Sequence, residues 1–418
     1  MLSYGRTRRL RASIGAALLI GLAAWLPGFS GGAGSSFMSI LRQTPPEETN
    51  VAAAAQALPD AVEASLTYLW DFMATTNAAF DPARVEAVVS FIATQPTNES
   101  DWVPASRGGA DGSACIVSLP CALERILALS YEPGIPDYAL YAAVLRHSAE
   151  VDATEVTDAY AQCAVPAWTD AVALVTRKYL CTEEITPNPE SGTYYTYTNV
   201  RQMVRCMVGT YDTLFSFTQM LGPSSLSKRG APVGPPENGL FYFSEKPGIS
   251  LPGLVWLQSQ IRSSRTVTLY IGTGSNSTAF CAFTWMNAGW RGLNVTRSSN
   301  ILNTQKASMH LIRRIAGTPA ATSSNVAAIV RTALAMPASD VNKEYEKYCA
   351  YVKEWREKEK GSLLKRVNIN VNVNTLGAVF DPETLLTMPM HYRRALVIQE
   401  HVRELLGMPT WSAEQADK

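Results

Sequence analysis

Residues 199–221 read NVRQMVRCMVGTYDTLFSFTQML, and the assignment of this run decides the fold class of the 418-residue chain. Apolar residues fall on nearly every face of a helix drawn through it, and Thr198 or Asn199 stands ready to cap its start. The run therefore predicts a long central helix, which needs cover on all sides because it is hydrophobic all round.

The preceding segments supply that cover as further helices. In LPDAVEASLTYLWDFMATT, Pro59 suits a first helical turn, and Leu58, Val62, Leu66, Leu69, Trp70 and Met73 recur at helical spacing. Asp81 and Pro82 open a second helix with Val85, Val88, Val89 and Ile92 on one stripe. Segments 120–130, 136–151 and 166–181 each begin with proline and carry apolar residues at three- and four-residue steps. Residues 51–221 are thus expected to form a helical domain.

Outward in the other direction, residues 222–239 are dense in Pro, Gly and Ser and mark a linker. Beyond it, RTVTLYI (265–271) and AFCAFTW (279–285) read as a β-hairpin about the turn GTGSNST. Helices are expected again at 299–316, 324–336, 339–360 and 389–406. Between the last two, VNINVNVN (367–374) alternates strictly, placing Val367, Ile369, Val371 and Val373 on one face as a candidate strand for pairing with a partner. The expected fold class is mainly α, an α+β fold with a minor β component: a helical N-terminal domain, the linker, and a mainly helical C-terminal domain over 240–418.

The first 46 residues hold five arginines and no acidic residue, and residues 13–29 are uncharged. Residues 1–29 read as a signal peptide or membrane anchor and 30–50 as a tether, which places the body outside the cytoplasm, exported or anchored. The alternative is a buried N-terminal helix in a protein of the cytoplasm or a virion.

Composition is 47% hydrophobic and 17% charged, poor in charge for a soluble protein, and the formal net charge is zero. The charge is uneven: residues 47–290 carry 13 basic and 24 acidic side chains, and residues 291–418 carry 18 and 12. Such polarity favours contacts between copies or with an anionic partner. The seven cysteines show no zinc or redox spacing, and Cys115 with Cys121 is the candidate disulfide.

No catalytic constellation emerges, and neither a metal site nor a cofactor is expected. GTGSNS lacks the following helix of a phosphate loop, and the Ser225/Lys228 match sits in the linker. The four histidines are scattered, and the paired carboxylates Glu47/Glu48 and Glu183/Glu184 lie next to loops and mark no cleft. The functional expectation is a non-enzymatic structural or assembly protein, exported or tethered, acting on other protein subunits as a homo- or hetero-oligomer. The alternative is a nucleic-acid-coating or capsid subunit that holds phosphates with Arg297, Lys306, Arg313, Arg314, Arg331, Lys365, Arg366, Arg393 and Arg394.

Overall fold

The computed structural model describes residues 56–75, 78–95, 100–151, 163, 172–176, 178–188, 192–233, 238–248, 258–290, 294–366 and 387–411. The expected signal or anchor (1–29), the tether (30–50) and the alternating strand with Val367, Ile369, Val371 and Val373 lie outside them. The strands are β1 (Gln56–Ala57), β2 (Ser100–Val103), β3 (Asp111–Leu119), β4 (Leu145–Glu150), β5 (Leu174–Val175), β6 (Tyr179–Ile185), β7 (Thr193–Tyr194), β8 (Thr196–Val208), β9 (Tyr211–Met220), β10 (Lys228–Pro232), β11 (Phe241–Pro247), β12 (Gln260–Gly274) and β13 (Ser277–Gly289). The helices are α1 (Asp60–Ala74), α2 (Glu86–Ala93), α3 (Leu123–Tyr131), α4 (Asp137–Leu140), α5 (Ser298–Gly317), α6 (Ser323–Ala335), α7 (Ala338–Arg366) and α8 (Met390–Leu405).

Residues 199–221 are not a helix. They form the antiparallel hairpin β8–β9, with pairs running from Asn199↔Met220 to Val208↔Tyr211. Gly209 turns the chain at φ +59°, a left-handed conformation that glycine adopts without a Cβ penalty. The run is apolar on all sides because both faces of the hairpin are buried. Val204, Cys206, Val208, Phe215 and Phe217 enter one core, whereas Met203 and Leu214 enter another on the opposite face. A strand covered on both faces loses the period-two alternation that would distinguish it from a buried helix.

The hairpin sits inside a ten-stranded sheet ordered β1-β2-β3-β13-β12-β9-β8-β6-β4, with β5 paired to β8. Only the β1–β2 pairing is parallel among those described. One face is covered by α1 and α2 through Leu66, Leu69, Phe72, Val88 and Ile92. The other is covered by α3 and α5 through Leu123, Ile126, Met309 and Ile312. A three-stranded sheet, β11-β10-β7, packs on α7 and α8 with Phe241, Phe243, Tyr345, Tyr348 and Trp411 at the contact.

The fold is therefore mixed α and β, and the mainly α expectation is corrected. The proline at 136 starts only the short α4 before the chain becomes β4, and the C-terminal part of the expected helix 166–181 belongs to β5 and β6. Within 222–239, β10 pairs with β11 and β7. The expected hairpin forms as β12–β13 and is longer than its apolar runs. Helices form where an apolar stripe faces a charged one, as in α7, where Val341, Tyr345, Tyr348 and Val352 are buried.

Candidate functional site

Strand β6 carries Glu183 and Glu184 side by side, and because side chains alternate along a strand they point to opposite faces of the sheet. Both are buried, at 6% and 3% exposure. An isolated carboxylate buried to this degree is expensive, so each has to be matched by cations or protons.

On the first face, pairing in register sets Tyr179 opposite Arg201 and Cys181 opposite Asn199. Arg201 forks between Asp137, at the start of α4, and Glu183. Asn199 Nδ2 donates to the second Glu183 oxygen at 2.7 Å. Glu150, at the end of edge strand β4, pairs in register with Cys181 and is exposed at the rim. These residues border a small, solvent-open cleft lined by Ser130, Tyr131, Glu132, Ile135, Asp137, Glu150, Tyr179, Arg201 and Met203, with interior room of about 20 Å³.

Among the described residues, carboxylates outnumber cations here. Burial, reinforced by the charge of Asp137, raises the Glu183 carboxyl above its ordinary value against the pull of Arg201. Burial and Asp137 likewise raise Glu150. Burial also pushes the Cys181 thiol up to about 12, so it is protonated and a poor nucleophile at neutral pH. Asp137, Cys181 and Glu183 bring ligand-type atoms within 4.8 Å of one another. The Arg201 guanidinium already engages both carboxylates of that group, which makes it the resident cation.

On the second face, Arg146 Nη1 donates to Glu184 Oε1 and to Glu245 Oε1, both at 2.7 Å. Lys228 Nζ holds the other Glu245 oxygen at 2.5 Å, and the Tyr392 hydroxyl donates to Glu184. The guanidinium lies 3.8 Å from the Tyr392 ring centroid and 4.1 Å from that of Phe243. Two cations here balance two carboxylates. Although burial alone would raise Glu245, Arg146 and Lys228 bring its carboxyl below the ordinary value.

Glu183 and Glu184 lie near the C-terminal end of β6 and anchor the two clusters, although neither lines the cleft itself. Their signal in the sequence is a doubled acid inside YLCTEEIT, a β-branched and aromatic run. Arg146, Arg201, Asp137 and Tyr392, which complete the clusters, come from four separate segments.

The nine basic residues expected on a phosphate backbone fall on α5, its N-cap, α6, α7 and α8. Arg297 stands at the α5 N-cap, and its backbone N–H donates to Asn300. Lys306 pairs with Asp101 at 2.5 Å. Arg314 donates to the Leu406 and Gly407 carbonyls at the end of α8, and Arg394 to those of Ala333, Leu334 and Met336 at the end of α6. These cations close helix C-termini, where a positive charge is favoured. Arg393 donates to Met388 and Asn342, while Arg313 and Arg331 are exposed. Lys365 and Arg366 close α7. Cys115 and Cys121 are separate buried thiols in the α3–α5 core.

No protein-family model and no curated protein matches the chain. Among solved structures, it is similar to the human StarD13 (DLC2) lipid transfer and protein localization domain at 9% identity and TM-score 0.29, covering 63% of this chain and 98% of that one. It is also similar to human STARD10 at 10% identity and TM-score 0.26, covering 53% and 69%. At these scores the likeness assigns no ligand and no role to this chain. With Arg314, Arg393 and Arg394 spent on internal carbonyls, the nucleic-acid-coating alternative is corrected, and the assembly expectation with it. Among the described residues, no helix is long and apolar enough to cross a membrane.

Proposed function

We propose that the chain is a non-enzymatic binding protein whose acidic cleft, between α3–α4 and strands β4, β6 and β8, takes the ammonium group of a small organic cation. The carrying observation is the charge imbalance among the described residues: Glu132, Asp137, Glu150 and Glu183 gather about one described cation, Arg201. An arriving ammonium supplies the missing positive charge, and the Tyr131 and Tyr179 rings flank its path. The cleft's polar lining suits hydrogen-bond donors and not an acyl chain. The groups deepest in the site are tied to one another, and the Cys181 thiol is held protonated, so the arrangement favours recognition over bond-making.

Calorimetric titration with 1,4-diaminobutane tests this reading. The expected result is binding that weakens with rising salt and drops at least about tenfold in Glu150→Gln. A cation also pulls the raised Glu150 and Glu183 carboxyls back down, so binding in mildly acidic buffer releases protons and its heat depends on the buffer's ionisation enthalpy. Absence of binding at low salt, or affinity unchanged in Glu150→Gln, overturns it.

A further inference from the structure

Away from the acidic cleft, His147 on β4 and His391 in the first turn of α8 meet with ring centroids 5.2 Å apart, edge to face. His147 also stacks on Tyr138 of α4, at 5.2 Å and 14°, and touches the Tyr392 ring at 5.5 Å. The neighbouring elements α4 and β4 are thus joined to the sequence-distant α8 through one imidazole. We propose that the His147–His391 contact makes the seating of the first turn of α8 on β4 sensitive to pH, held while the His147 ring is neutral and loosened when acid charges it.

The groups facing this contact come from every element packed on it. Arg146 from β4 is a fixed positive charge that opposes a second one, and Glu184 from β6 favours it, but that carboxylate is already engaged by Arg146 and Tyr392. Glu245 from β11 and Lys228 from β10 pair with each other. The Tyr138 ring offers its face to a cation. On α8, Arg393 and Arg394 follow His391 but are turned to Met388, Asn342 and the end of α6. Burial first, and then the charge His391 would carry, bring the His147 imidazole below its ordinary value.

The sign follows from that direction. An imidazole whose folded value lies below its unfolded one contributes fully above about pH 6.5, and its contribution is lost as pH falls through that value. The rest of α8 has its own anchors. Gln399 Nε2 donates to the Tyr138 and Leu145 carbonyls, both at 3.1 Å, and Arg403 donates to the carbonyls of Asn238 and Gly239. Acid should therefore release the start of the helix before its end.

Hydrogen exchange of the full chain, corrected for the intrinsic dependence of exchange on pH, reads this directly. Peptides spanning Met390–Ile398 are expected to open about tenfold more at about pH 5.5 than at about pH 7.5, while peptides from β12–β13 keep their protection. His147→Phe removes the acid response; if it fails to fold, the exposed His391→Gln carries the test, weakening the response and raising the His147 titration towards the ordinary value. Equal protection of Met390–Ile398 at both pH values, or an undiminished acid response in whichever variant folds, overturns the proposal.

Discussion

The two faces of β6 solve the same problem in opposite ways. Behind Glu184, Arg146 and Lys228 balance two carboxylates under a roof of Tyr392 and Phe243, so the cluster is complete. Behind Glu183, one arginine serves Asp137 and Glu183, with Glu150 and Glu132 at the rim, and the positive charge falls short. A buried ionic cluster that balances itself is a fastener, whereas one left unbalanced beside an opening has chemistry still to satisfy. Adjacent residues of a single strand can therefore belong to different functions.

The largest expected effect tests the balanced face. Arg146→Met leaves Glu184 buried at 3% exposure without its cation and should cost about 3–5 kcal/mol in denaturant unfolding. A loss below about 1 kcal/mol would mean that the aromatic roof, and not the charge balance, holds this face. Tyr392→Phe removes one charge-assisted hydrogen bond to Glu184 and should cost about 1.5–3 kcal/mol by the same measurement.

The smallest effect sharpens the other face. Glu150→Gln at the cleft rim should leave stability near pH 7 within about 0.5 kcal/mol of the parent. Its raised carboxyl destabilises the fold when ionised, and acid passing through the folded value towards the unfolded one relieves this. Measured unfolding should therefore show the parent gaining on Glu150→Gln as pH falls. A parent that loses ground instead would place Glu150 in a stabilising ion pair and remove the asymmetry between the faces.

Much of the fold's helical part was legible because those helices have one dry face. In α1, Val62, Leu66, Leu69 and Met73 recur at helical spacing and are buried, while Asp60 and Glu63 lie between. The central sheet was hidden by its own burial: in 199–221, cover on both faces removed the alternation, leaving Gly209 as the punctuation that should have outweighed it. Arg201 and Arg205, within a run read as core helix, were a second clue. Arg205, fully buried, donates from Nε and Nη2 to both oxygens of Asp212 across the hairpin turn. The candidate site was illegible for a different reason: Asp137, Glu150, Glu183 and Arg201 are brought together only by the β4–β6–β8 pairing and α4, and no local spacing records that pairing.

The sheet order also sets a timetable for synthesis. Strand β3 finds its long partner in β13, with pairs such as Leu119↔Thr278 and Asp111↔Met286 lying 159 and 175 positions apart. At roughly 5–20 residues per second, β3 waits on the order of 10–30 s after leaving the ribosome before β13 exists to cover its edge. During that interval the apolar run Ala114–Val117 has only the four-residue β2 beside it. The nascent chain is thus most exposed to wrong pairing in its first third, and shielding by a chaperone would matter most there.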